Sequence, residues 1–509
     1  MIVVESSPSE RQNFSARRST NMATLHEESQ SPAKKWGPLR VVLWLIGAAL
    51  LGAAVLVGVV LVLAARGDVP DVGEPFDVEK FAAFTLPNEQ NAISQYLLAQ
   101  RALVRFDSLM PDARIRPAEE SARAAALNSW NDANPDVRAW LEANRKALEL
   151  WKIGTARDEA IEVPYESLNT YSQLPASTDA RIFVRLALLE ASRLIHEGRA
   201  ADAWSWYRAS LRASRHYGMH AVGIGRHVGA DLYRLTRDPI LNWSARPEIS
   251  SADLRRALAD TITTDAMTPP LSENFKVQYL AERTAVPEVL ANLVEKHPWA
   301  AIETRFSGRP ERMRRALKLF FANWIAHADR PRHARIPLSD KSIGLFEPGP
   351  GGDGGPDLPP PEVLKSLIGM WLTGLEAHGS MSSVPPTDFA LPGMLSLFDV
   401  ADQEQVDRAA VIVGLALELY DREHGHFPPA LSELTKDGAL KSIPLDPFGQ
   451  GEPIHYRLEG NPTERAVVWS VGLDRITEAG KLPTQKVNER ISSVTVFEIK
   501  APRKSASGK

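Results

Sequence analysis

DARIFVRLALLEASRLIHEGRAADAWSWYRASLRASRHY, residues 179–217, decides the fold class of this chain. An apolar-periodic run ends at Leu194-Ile195-His196, a break follows at Glu197-Gly198-Arg199, and a second run opens at Ala200. Glycine in the turn, with helix-forming residues on both sides, predicts two helices closed into a hairpin. Small Ala201 and Ala203 beside bulky Trp204, Trp206 and Tyr207 let the helices approach and offer aromatics to the next layer. The fold class expected is mainly α.

The hairpin is similar to a tetratricopeptide unit, although the neighbouring sequence carries no clean 34-residue period, so ordinary helical packing stands beside a repeat-like body. Upstream, Ala92, Tyr96, Ala99 and Leu103 recur at helical spacing, and Asn134-Pro135-Asp136 reads as a cap with proline in the first turn of a segment closed by Gly154. Further helices are expected near residues 252–264, 273–296, 310–328 and 362–378. Residues 349–361, GPGGDGGPDLPPP, lack both periodicity and packing residues and read as a linker. Beyond Asp407 a last helix carries Val411, Leu415, Leu419 and Tyr420. Strand-like runs follow at 454–458, 466–471 and 494–499.

Toward the N-terminus, the 25 residues from Val41 to Ala65 are apolar without a charge, long enough at helical rise to cross a bilayer. Lys34, Lys35 and Arg40 precede the run, while Arg66 stands among Asp68, Asp71 and Glu74 after it. By the positive-inside rule the N-terminus is expected in the cytoplasm and the remainder outside, at the cell membrane. The expected order of parts is a disordered cytoplasmic tail (1–40), a transmembrane helix (41–65), an acidic stalk (66–90), a helical body (91–345), a Gly/Pro-rich linker (346–361), a helical segment (362–400) and a small α+β module (401–509). Six basic and four acidic residues precede Arg66, leaving 53 Lys and Arg against 59 Asp and Glu from Arg66 onward. That balance gives no electrostatic ground for a nucleic-acid partner. The absence of cysteine excludes disulfides, thiolate metal sites and cysteine nucleophiles.

Candidate sites were weighed by spacing. His216, His220 and His227 would share one face of an unbroken helix, but Gly218, Gly223, Gly225 and Gly229 interrupt it and the nearby Arg212, Arg215 and Arg226 repel a cation, so these histidines read as structural. The glycines of Gly223–Gly229 miss the dinucleotide spacing and no strand precedes them, which favours close helix packing. Arg208, Arg212 and Arg215 read as a solvated or internally paired face, with Glu190 and Asp202 as available partners. His196-Glu197 is followed by Gly198 and lacks the second histidine of a zinc peptidase, and no Gly-x-Ser-x-Gly elbow occurs. No catalytic, cofactor-binding or metal-ligating residue is assigned.

The segment Ala416–Tyr420, Gly425-His426-Phe427-Pro428, Leu431, Leu434, Pro444–Gly449, Tyr456 and Trp469–Asp474 resembles the C-terminal module of type II secretion major pseudopilins. The resemblance implies a helix ending at Gly425, a chain packed back through Leu431 and Leu434, a tight turn at Asp446-Pro447, and strands carrying Tyr456 and Trp469 over the helix. Asp474 is followed here by Arg475, Ile476 and Thr477, so the family's calcium loop is not expected. The whole chain also resembles a group of bacterial single-pass membrane-anchored proteins sharing Gly73-Glu74-Pro75-Phe76-Asp77 and Asn91-Ala92. Three functions follow in order: a helical scaffold or protein-interaction module at the envelope with an unknown protein partner, an accessory of a secretion or pilus-like machine, and an envelope hydrolase. A non-enzymatic role is favoured.

Overall fold

The computed structural model describes residues 38–64, 69–169, 172–296, 309–338, 345–347, 360–362, 364, 387–460, 465–472 and 496–500. The expected tail up to residue 37, nearly all of the 346–361 linker and of the 362–378 helix, and the Asp474 loop lie outside the described residues. The chain divides into two units, residues 1–62 and 63–509.

The first unit contributes helix α1, Pro38–Ala64. The side chains described on it, residues 42–56, are all exposed, among them Leu43, Trp44, Leu51 and Leu56. They cover roughly 22 Å at helical rise, short of a hydrocarbon core of about 30 Å. Among the described residues no helix is long and apolar enough to cross a membrane. The transmembrane reading of residues 41–65 therefore rests on the sequence.

The second unit is mainly helical. Its early helices are α2 (Val78–Ala82), α3 (Ala92–Arg101), α4 (Phe106–Leu109), α5 (Asp112–Leu127), α6 (Pro135–Ala143) and α7 (Arg145–Thr155). Asn91 caps α3 by accepting from the Ile93 N–H at 3.1 Å, and its amide and oxygen also bond Ile161 across 70 residues. Asn134 caps α6 through the Val137 N–H at 2.9 Å. Gly154 does not close the 135–154 segment as expected. It lies inside α7, where a Cβ would come within 2.7 Å of the Tyr96 ring, so its role is close approach.

The hairpin forms as α8 (Pro175–His196) and α9 (Ala200–Gly218). Gly198 takes φ +76°, while the Gly198 and Arg199 N–H groups bond the Ile195 and Leu194 carbonyls at 3.0 and 2.8 Å, satisfying the helix end. Helix α10 (Gly223–Ser244) packs along α9. Trp243 stacks on Trp204 at 5.2 Å and donates to the Ala200 carbonyl at 2.8 Å. The close approach of α9 and α10 is made by Gly229, where an added Cβ would lie 2.5 Å from the Ser214 oxygen.

Beyond these come α11 (Ser251–Asp265), α12 (Leu271–Lys296), α13 (Arg309–Ala328), α14 (Thr387–His424), α15 (Ser432–Lys436) and strands β1 (His455–Glu459), β2 (Arg465–Trp469) and β3 (Val496–Lys500). The sheet is antiparallel in the order β1-β2-β3, with Tyr456 opposite Val468 and Ala466 opposite Ile499. Gly425 ends α14 at φ +77°, and the Tyr456 hydroxyl donates to the Pro428 carbonyl at 2.7 Å. The Asp446 carboxylate pins the turn, accepting from the Phe448 N–H, the Ser470 hydroxyl and the Val471 N–H at 3.0, 2.7 and 2.8 Å.

Two expected divisions of the chain differ from the structure. Val406, Ala410, Val413, Ala416, Leu417 and Leu419 are buried around α14, and a helix apolar all round needs neighbours all round. It finds them in α10 and α11, so the helix assigned to a separate 401–509 module is the centre of the helical body. The 66–90 segment, expected as a stalk, is in its described part seated on that body. Val69 and Val78 are buried, Phe81 stacks on Tyr165 at 5.2 Å, and Glu74 accepts from the Tyr279 hydroxyl at 2.6 Å and pairs with Lys318 at 3.0 Å.

Gly229→Ala should cost about 1–3 kcal/mol, because backbone oxygen occupies the space the methyl would need. Gly198→Ala should cost about 1 kcal/mol or less, since only its φ resists. Urea midpoints that fell equally for both would refute the close-packing account.

Candidate functional site

Helix α14 carries three acids, Asp402, Glu404 and Asp407, near its middle, and each meets arginine from elsewhere. Asp402 pairs with Arg332 and Arg335 of the segment after α13, at 2.9 and 2.5 Å. Asp407 pairs with Arg234 and Arg237 of α10, at 3.1 and 2.5 Å. Glu404, side chain 2% exposed, bridges Arg215 of α9 and Arg226 of α10, at 2.5 and 2.7 Å. Burial alone would raise the Glu404 carboxyl, but the Arg215, Arg226 and Arg408 guanidiniums overcome it and hold the group at about 2. Arg215 also donates to the Thr268 hydroxyl at 2.8 Å and lies 4.8 Å over the Tyr233 ring.

Arg226, Arg332, Arg335 and Asp402 of this network line a cleft of about 570 Å³. Its sides are the 265–271 connection from α11 to α12, the 328–335 segment ending α13, the Ala401–Arg408 face of α14, and the 445–451 turn of the C-terminal module. Arg226, Arg330, Arg332, Arg335 and Arg408 line it with Asp265, Asp329, Asp402 and Asp446. Most of these acids are already committed. Asp402 is held by its arginines, Asp446 by the turn, and Asp329 accepts from the Ser272 N–H at 3.1 Å and from its hydroxyl. Burial pushes Asp265 up to about 6, against the pull of Arg408 and Arg215.

The arginines are not all committed. Arg408 donates to the Thr268 hydroxyl at 3.2 Å and, among the described residues, forms no ion pair, as is also true of Arg330. The Nε atoms of Arg226, Arg335 and Arg408 are buried without a hydrogen-bond partner among the described residues. Guanidinium stays charged at neutral pH and presents a planar fork to oxyanions, so this set can hold and orient an anionic group.

The residues singled out from sequence fall elsewhere. His216 is buried, bonded to the Tyr96 hydroxyl at 2.7 Å and the Arg157 carbonyl at 2.9 Å, and burial beside Arg212 lowers it to about 3. His220 lies past the end of α9 at φ +47°, bonded to Tyr165 at 2.8 Å and stacked on Phe84 at 4.2 Å. His227 sits on α10, 3.2 Å from the Ser396 hydroxyl. The three do not converge. Arg212 is bound by the 155–158 segment, including Asp158 at 2.9 Å, and Arg208 lies 3.6 Å from Asp260. Glu190 and Asp202, read as partners for that face, instead pair with Arg193 and Arg199. Among the described residues one trio has metal-ligand atoms within 4.8 Å of one another, Glu423, His424 and Asp437, all exposed, with Glu423 paired to Arg255 at 2.7 Å.

Comparison of the chain with protein-family models, curated proteins and solved structures finds no match.

Nothing in the sequence brought Arg226, Arg335 and Arg408 together, since they come from three elements and only packing joins them. One signal was present: Asp402, Glu404, Asp407 and Arg408 stand directly before the apolar run Val411–Tyr420, on a helix with no polar face to spare. Charges so placed need partners.

Glu404→Leu should cost about 3–5 kcal/mol by leaving Arg215 and Arg226 buried together without their counter-charge. A denaturation midpoint within error of wild type would show that the bridge is not a folding constraint. Glu418, buried on α14 with Arg422 at 4.0 Å and neither oxygen hydrogen-bonded among the described residues, is raised by burial to about 8. A carboxyl raised in the folded state contributes stability that is full below its ordinary pKa and is lost as pH climbs toward 8. Glu418→Gln should therefore match wild type near pH 4.5 and melt about 2 °C or more higher near pH 8.5. A constant offset across that range would contradict the assignment.

Proposed function

We propose that this chain is a membrane-anchored protein whose helical body is an interaction module, held outside the cytoplasm by residues 41–65, and that the arginine-lined cleft is where the module engages its partner. The observation that carries the reading is the set of five arginines, Arg226, Arg330, Arg332, Arg335 and Arg408, that line one cleft. Guanidinium stays charged and its planar fork matches carboxylate and phosphate oxygens, so a cleft lined this way suits an acidic group. The anchor is supported by the length and basic flank of the apolar run. A tetratricopeptide-like arrangement is supported by the α8–α9 hairpin and by Trp243 of α10 filling the gap above it.

A second reading, an accessory of a secretion or pilus-like machine, is favoured by the order of parts at the C-terminus: α14 ending at Gly425, the Asp446 turn, and the strands bearing Tyr456 and Trp469. Copurification with pseudopilins would favour it over the scaffold reading.

In wall-free cells, external protease should remove a C-terminal tag and leave a short N-terminal fragment. A tag reached only after lysis would overturn the topology. In detergent extracts, the full chain should recover a partner that Arg408→Glu, with its fold intact by circular dichroism, does not. Equal recovery by both would remove the cleft from the interaction.

A further inference from the structure

The cleft has two kinds of wall. Part of its lining is guanidinium, and part is apolar, from Pro269, Pro270, Pro331 and Pro447 with Leu271 and Leu445. Arg226 and Arg408 reach two adjacent residues from different helices, Arg226 donating to the Pro269 carbonyl at 3.3 Å and Arg408 to the Thr268 hydroxyl at 3.2 Å. Arg335 also lines the cleft, tied to Asp402 less than two turns before Arg408 on α14. Arg226 is 4% and Arg335 9% exposed, so these donors are positioned by packing before anything binds.

The lining is positive by one charge. Arg226, Arg330, Arg332, Arg335 and Arg408 stand against Asp265, Asp329, Asp402 and Asp446, and Arg408 and Arg330 have no ion pair among the described residues. A free phosphate would occupy only a small part of about 570 Å³, whereas an acid with an apolar body would use both walls.

We propose that the cleft binds a small organic acid, its oxyanion head held by Arg226, Arg335 and Arg408 and its compact apolar body resting on the prolines of the lining. This rests on the binding-module reading for the location of the site and is independent of the membrane anchor. A carboxylate or a phosphomonoester head satisfies the same forks, and the two are separable with simple probes.

The test is calorimetric titration of the full chain in detergent with benzoate, phenyl phosphate and the uncharged benzamide. Benzoate, phenyl phosphate or both should saturate one site, with benzamide at least about tenfold weaker, as loss of a charge-assisted hydrogen bond implies. Binding of one acid alone assigns the head. Arg408→Met should weaken the acid about tenfold without unfolding the chain, because Arg408 carries no buried ion pair. Arg208→Met, which perturbs only the Asp260 pair, should change nothing. Failure of both acids at about 10 mM, or binding that survives Arg408→Met at wild-type strength, overturns the proposal. If the acids fail while partner recovery still depends on Arg408, the small-acid assignment falls and the interaction reading of the cleft stands.

Discussion

A single carboxylate holds the architecture in register. Glu404 lies buried where α9, α10 and α14 meet, and it can stay ionised there only because Arg215 and Arg226 reach it from two different helices. Burying a charge is costly enough that all three groups must arrive together, so any shift of α14 along the body would strand at least one of them. The 265–271 connection is drawn in as well, since Thr268 and Pro269 take hydrogen bonds from the same arginines.

Asp402 and Asp407 repeat the device on either side of Glu404. The first fastens the segment after α13 and the second fastens α10 a turn further along. Apolar contact along α14 is nearly uniform in direction, because the helix is buried on every side, and uniform contact does not choose a rotation or a register. The paired charges do. Fixing the position of α14 also fixes the cleft, which Arg226, Arg332, Arg335 and Asp402 of the network line together with the Asp446 turn.

Much of the secondary structure was legible from local signals. Asn91 and Asn134 as caps, Gly198 in the hairpin turn, and Gly425 at the end of α14 act within a few residues of themselves, and local sequence is enough to read them. Gly229 was readable as a packing glycine because a missing side chain implies a close neighbour, although the neighbour, Ser214, was not. Where the structure departs, the cause is long-range. Gly154 resembles a helix stop until Tyr96 is brought against it, and the acidic 66–90 segment resembles a spacer until Phe81 finds Tyr165 and Glu74 finds Tyr279 and Lys318. The apolar stripe of α14 at Val411, Leu415 and Leu419 was visible, but not the burial of its other faces, which placed it at the centre of the body and not in a module apart.

The sequence by itself determined the mainly helical class, the hairpin, the helix–turn–strand order of the C-terminal part and the apolar run at 41–65, because periodicity, capping and hydropathy are properties of neighbouring residues. Only the tertiary structure decided which charges are buried and with whom. Arg215, Arg226, Arg335 and Arg408 are ordinary surface-type residues in the sequence, and packing that joins residues up to about 190 positions apart gathers them around a network and a cleft. The physical reason is that desolvation depends on everything packed around a group, and no local pattern records what the chain will bring there.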